Sequence, residues 1–194
     1  MVVLPMNVTK KSILLACIFG LLSIITWYYA YIYTPQKVVD MSAYPTFIAT
    51  DTELTVYGED GRKEKSMTSD TTTYYDEKQF FTFIKPLITT YKYENNTVNL
   101  WHLKGNTGDM VTDKIANVYG DAKVYPGFDD PVIDHADSTK FHYDFATNEI
   151  TNDERVTVYG KSFTTDGTDF KFEMNTNKAT YKGAPHATYY PQTK

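Results

Sequence analysis

Two regimes of apolar patterning divide this chain. Residues 12–33, SILLACIFGLLSIITWYYAYIY, are 22 consecutive positions without a charged side chain. Wound as a helix they would reach about 33 Å, enough to cross the hydrocarbon core of a bilayer. Beyond Pro45 no stretch carries a 3.6-residue apolar period, and a period of two takes over. Phe141, Tyr143 and Phe145 alternate with His142 and Asp144, and Phe170, Phe172 and Met174 alternate with Lys171 and Glu173. Val156 and Val158 flank Thr157. Such alternation predicts strands with one face on a core. Residues 98–103, VNLWHL, are apolar on both faces and predict a more buried strand.

Turn formers separate these runs at short intervals, among them Gly58-Glu-Asp-Gly61, Gly105-Asn-Thr-Gly108, Pro126-Gly127 and Asp166-Gly167. Many short strands at that spacing mean an all-β sandwich, jelly roll or barrel. The tripeptide Val-Tyr-Gly recurs at 56–58, 118–120 and 158–160, at spacings too unequal for a solenoid. It predicts a shared strand-end solution, in which Tyr closes the apolar face and Gly permits a bulge or bend.

The flanks of the apolar run assign its orientation. Lys10 and Lys11 precede it, and Trp27, Tyr28, Tyr29, Tyr31 and Tyr33 crowd its other end, where amphipathic rings favour the headgroup level. The positive-inside rule then keeps the N-terminus in the cytoplasm. A cleaved signal peptide has a similar basic flank and apolar core, but it needs small residues at the cut, and this run ends in bulky rings. The expected organisation is a cytoplasmic tail over 1–11, a transmembrane anchor over 12–33, a linker over 34–45 with Pro35 and Pro45, a β-domain over 46–190 and a short tail over 191–194.

Charge narrows the partners. Beyond residue 36 the chain holds 17 basic and 24 acidic residues. An acidic domain without basic blocks is a poor ligand for nucleic acid, whose affinity rests on phosphate neutralisation. The single cysteine, Cys17, has no partner for an internal disulfide. His102, His135, His142 and His186 lack metal-ligand spacing, and His142 reads as a solvent-facing strand residue. The string Asp134-His135-Ala-Asp137-Ser138 holds the residue types of a catalytic triad, but it follows Pro131 in a turn-rich stretch and reads as a solvated loop. Asp129-Asp130 and the pair Asp109 and Asp113 sit among turn formers. Asn95-Asn96-Thr97 matches a glycosylation sequon. The sequence therefore predicts no catalytic residue, metal site or cofactor. Its surplus is aromatic: thirteen of the 17 tyrosines and ten of the 11 phenylalanines lie beyond residue 36. In Phe80-Phe-Thr-Phe-Ile84 both faces of one strand are apolar, which suits a core or the lining of a groove for acyl chains.

With these features in place the chain resembles the LptC family of lipopolysaccharide export proteins. The residues that carry the resemblance are Asp51-Thr-Glu-Leu-Thr-Val-Tyr57 with a turn ending in Gly61, Tyr74-Tyr75, and Phe83-Ile-Lys-Pro86 leading into Leu87-Ile-Thr-Thr90. Asn117-Val-Tyr-Gly120, Val156-Thr-Val-Tyr-Gly160 with Ser162-Phe163, and Lys178-Ala179 complete it. The resemblance implies a twisted, open β-jelly roll behind a single inner-membrane anchor, with the domain in the periplasm. It implies a non-enzymatic carrier that takes lipopolysaccharide from the ATP-driven transporter of LptB, LptF and LptG, touching LptF and LptG near its first strand. LptA would be received on the edge of the C-terminal strand. The family's interior positions correspond to Thr52 and Phe83 and, near the exit end, Ala179 and Tyr189. A tethered β-sandwich serving as scaffold or sensor, with a dry closed core, is the competing reading.

Overall fold

The computed structural model describes residues 8–33, 44–94, 97–111 and 114–190. The chain forms two units, divided between Asp40 and Met41. The first holds helix α1, Val8–Tyr33, which begins four residues before the expected anchor. Its described side chains, at 12, 13 and 15–29, are all exposed, including Phe19, Leu22, Ile24 and Trp27. Among the described residues no helix is long and apolar enough to cross a membrane, and the spanning anchor stays an expectation of the sequence. The side chains of Lys10, Lys11, Tyr31 and Tyr33, residues 34–43 of the linker, Asn95 and Asn96 of the sequon, Asp113 and the tail 191–194 lie outside the described residues.

Among its described residues the second unit is built of antiparallel β-strands, with a short 3-10 turn at Asp76–Lys78. Its strands are β1 Phe47–Tyr57, β2 Lys63–Tyr75, β3 Phe80–Ile84, β4 Leu87–Glu94, β5 Thr97–Lys104 and β6 Thr107–Val111. They continue as β7 Ile115–Pro126, β8 Ile133–Asp144, β9 Glu149–Asn152, β10 Val156–Gly160, β11 Phe163–Glu173 and β12 Lys178–Tyr189. Long strands each serve two ladders. Strand β2 pairs with β4 through residues 65–68 and with β3 through 71–75. Strand β7 pairs with β6 through 115–119 and with β5 through 123–126. Strand β8 meets β10 and β9 in its two halves, and so does β11. The ladders thus separate into two leaves joined by the long strands, which is a jelly-roll architecture.

Crossing from one leaf to the other requires the long strands to bend, and backbone of positive φ marks the bends. Asp51 has φ 50°, Gly120 72°, Asp121 48° and Asp169 53°. A Cβ on Gly120 would also meet Asn106 Nδ2 at 3.0 Å, so glycine suits both the dihedral and the space. All three Val-Tyr-Gly tripeptides fall at register shifts, between Val56 and Tyr57, between Tyr119 and Ala122, and between Tyr159 and Gly160. Their bulge reading is therefore how the repeat functions.

Alternation places the core as the sequence predicts: Phe141, Tyr143, Val156, Val158, Phe170 and Phe172 are all buried. Each such side chain stabilises the fold by about 1.5–3 kcal/mol through area removed from water. Two expectations change. The stretch 134–138 is the N-terminal half of β8 and not a loop, because it pairs on both sides with β7 and β10 and buries Ala136. In β5 only the C-terminal half is deeply buried, with Trp101 and Leu103 inward and Val98 at 44% exposed. His142 does point away from the core, but it is half-buried and its ring Nδ1 bonds the Asn117 side-chain oxygen.

Candidate functional site

The strand registers line up two apolar rows, one on the inner face of each leaf. In the first leaf the partners run Leu54, Met67, Ile88, Leu103, Val124, Ala136, Val158, from β1 across to β10. In the second they run Phe47, Tyr74, Phe81, Met110, Ala116, Tyr143, Ile150, Phe172, Ala179, from β1 to β12. Because side chains alternate strictly along each strand, a shift of one residue in any ladder would break the row it serves. The leaves meet across the interior: Trp101 of β5 lies edge-on to Phe172 at 4.6 Å, and the Tyr143 hydroxyl is 3.2 Å from that of Thr90 in β4.

The space between the rows is unequal. At the β1 end it opens into a cavity of about 250 Å³ lined by Leu54, Val56, Met67, Ile88, Met110 and Phe145. Further along, among Trp101, Val124, Val158, Phe170 and Phe172, it shrinks to about 10 Å³. That is at most the space of a single water molecule, so the seam is filled with side chains toward its β10 end. The mouth follows β1, whose Leu54 and Val56 are 49% and 43% exposed and which contains no fully buried residue. Strand β1 pairs with β2 alone and β12 with β11 alone among the described residues, so the ladder ends in an open edge on each side.

Polar groups frame the cavity. Lys65, opposite Val56 in the ladder, donates from Nζ to the Phe145 carbonyl at 2.8 Å. Asp144 Oδ1 accepts the amides of Ala146 and Thr147 at 2.8 and 3.1 Å and shapes the turn that carries Phe145. Those bonds, with smaller help from Lys65, hold the Asp144 carboxyl below the usual carboxylate range. Tyr143 donates to Asn148 Oδ1 at 2.9 Å, and burial pushes its phenol up to about 12.

The sequence-predicted site residues are not gathered in this cavity. Thr52 closes a ring of three hydroxyls with Ser69 and Thr72 at 2.8, 2.6 and 2.7 Å. Each can donate to one neighbour and accept from the other, so the ring satisfies itself. Phe83, 3% exposed, is core, opposite Thr72 and Gly108. Ala179 is half-buried at the β12 end of the second row, and Tyr189 is 76% exposed with its ring 6.4 Å from Phe163. Met67 escaped the sequence reading because β2, KEKSMTSDTTTYY, is polar along most of its length. The signal available was local: Leu54 and Val56 alternate with Thr55 and Tyr57.

Comparison with known proteins adds to this geometry. Residues 13–190 match the family model described as "LptC: Lipopolysaccharide-assembly, LptC-related". The lipopolysaccharide export system protein LptC of Escherichia coli (strain K12) is 22% identical over 161 residues, 83% of each chain. That of Haemophilus influenzae is 23% identical over 208 aligned positions, covering 95% of this chain and 98% of the relative. Among solved structures, the fold is similar to that of LptH from Pseudomonas aeruginosa, the LptA-homologous periplasmic component of a lipopolysaccharide transport device. The TM-score is 0.52 at 12% identity, covering 66% of this chain and 95% of LptH.

Proposed function

The chain belongs to the LptC family, with a role in lipopolysaccharide transport, and on that premise we propose that it binds acyl chains of lipopolysaccharide between its leaves and passes the lipid on to LptA. The observation that carries this reading is the cavity of about 250 Å³ at the β1 end, continuous with two apolar rows that cross the domain. A volume at the low end of ligand pockets takes a segment of one hydrocarbon tail and not a whole multi-acyl lipid. Each buried methylene contributes about 0.8 kcal/mol, so such a segment supplies useful affinity without charge attraction. The 22-residue uncharged run supports a single-pass anchor with the N-terminus cytoplasmic and the β-domain on the far side, and the family likeness implies that this is the inner membrane, with the domain periplasmic, beside LptF and LptG and powered by LptB. The open edge of β12 supports strand addition by LptA.

Photo-crosslinking tests the lipid route. A photoreactive residue at Leu54, in the cavity mouth, is expected to give lipopolysaccharide adducts that depend on ATP when the chain is reconstituted with the transporter. One at Val132, 74% exposed and outside the lining, is expected to give none. ATP-independent or absent adducts at Leu54 would refute the reading. The filled β10 end of the seam favours the alternative, a tethered scaffold with a closed core, and the same absence of adducts would leave it as the better reading.

A further inference from the structure

Two spaces of very different size meet at one side chain. Thr90 and Trp101 of the first leaf face Met174 and Asn175 of the second across a space of about 170 Å³. Toward β10 the seam narrows to about 10 Å³. Of the residues lining either space, only Trp101 lines both. The apolar cavity of about 250 Å³ draws its first-leaf walls from β1, β2 and β4, which precede β5 in the strand order. Ala179, at the β12 end of the second row, lies past Phe172 on the other side.

The Trp101 indole is only 3% exposed, yet what holds it is modest and comes largely from connections. Its Nε1 donates to Asn177 Oδ1 at 3.1 Å, and its ring lies edge-on to Phe172 at 4.6 Å and to Phe128 at 5.7 Å. A neutral hydrogen bond and two edge contacts are each weak taken singly. Asn177 stands in the turn between β11 and β12, and Phe128 in the connection between β7 and β8. Asn177 is itself exposed, so its oxygen turns to water once the indole leaves, and no buried polar group is orphaned. The same turn is fastened to β4 by Lys92, which donates to the Asn175 carbonyl and pairs with Glu94 at 2.7 Å. Indole and turn thus form one closure between the leaves.

We infer that Trp101 is a gate on the lipid route. With the indole on Asn177 and Phe172, a hydrocarbon tail is held on the β1 side. When the indole swings out with the β11–β12 turn, methylenes take its place against Phe172 and the tail advances toward β12. Apolar contact with a ring is exchanged for apolar contact with a tail, so the hydrophobic term changes little. The filled seam toward β10 is then the closed state of the route and not its end. This rests on the lipid-binding reading above and adds to it the residue that meters passage.

The test reconstitutes the full chain with the ATP-driven transporter and places a photoreactive residue either at Leu54, before the gate, or at Ala179, beyond it. The readout is the ratio of Ala179 to Leu54 lipopolysaccharide adducts early in turnover, with pulse proteolysis reporting that each variant is folded. Asn177→Gly removes the acceptor alone, at a φ of 54° that glycine adopts freely, and should raise the ratio about fivefold, the scale of one neutral hydrogen bond. Trp101→Leu removes ring and N–H together and should raise it about tenfold or more. Asn177→Gly changes an exposed turn and leaves the core alone, so it tests the gate whether or not Trp101→Leu folds. An unchanged or lower ratio in either folded variant, with Leu54 adducts intact, would overturn the gate and leave lipid binding standing. Absence of Leu54 adducts in the wild type would overturn lipid binding itself.

Discussion

Introducing a carboxylate at Phe83 and at Leu54 separates a core residue from a lining residue. Phe83 is 3% exposed and stacks in parallel with Phe81 at 6.0 Å, whereas Leu54 is 49% exposed at the cavity mouth. Removing a buried phenylalanine side chain costs about 3–5 kcal/mol through lost transfer and the cavity left behind. Phe83→Asp adds the desolvation of a carboxyl group, which drives it to bind a proton or draw in water. The total, at least about 5 kcal/mol, rivals the whole stability of a typical domain. Leu54→Asp loses about half of one leucine's burial, roughly 1 kcal/mol, and leaves its charge in solvent. Urea titration of the full chain in nanodiscs, followed by circular dichroism and pulse proteolysis, should show Phe83→Asp unfolded without denaturant. Leu54→Asp should shift by about 1–2 kcal/mol once the poor strand propensity of Asp is included. Export of lipopolysaccharide in cells depending on each variant should fail in both, but only Leu54→Asp should fail as a folded protein. A folded Phe83→Asp with a loss under about 1 kcal/mol would refute the core assignment. Normal export by Leu54→Asp would remove the cavity from the route.

Three further outcomes follow from the same geometry. Thr52→Val opens the hydroxyl ring but leaves Ser69 and Thr72 bonded to each other at 2.7 Å, so it should cost only about 1 kcal/mol in the same titration. Tyr143 keeps its proton to about pH 12 when folded but releases it near 10 when unfolded, so above pH 10 the unfolded state binds fewer protons and stability falls. The loss should reach roughly 2 kcal/mol by pH 12. Tyr143→Phe should flatten that decline only in part, because burial raises the Tyr181 phenol as well. Gly120→Ala places a Cβ at φ 72° and 3.0 Å from Asn106. It should lower stability by about 1–2 kcal/mol in thermal or urea unfolding, and an unchanged midpoint would mean that the bend of β7 adapts.

Much of this protein was legible one residue at a time. Alternation in 141–145, 156–158 and 170–174 reports which side of a strand faces oil, and those residues are the core. The Val-Tyr-Gly tripeptides announced their bulges, and at Gly120 the glycine also supplies the positive φ of the bend. Local pattern misplaced 134–138, since Asp, His and Ser look alike in a loop and on the polar face of a strand paired on both sides.

The site belongs to another scale. Leu54, Met67, Ile88 and Met110 become neighbours only through the registers of β1, β2, β4 and β6 and the facing of two leaves, none of which is written in the spacing of those residues. The sequence by itself determined that the chain is β-rich behind one long apolar run, because local sterics and solvent set strand propensity and side-chain alternation. Only the tertiary structure decided that Phe83 is packed and Leu54 is open, and that Lys65 reaches across 80 residues to hold the Phe145 turn. Burial is a property of what lies opposite, and that depends on long-range closure, which no local pattern encodes.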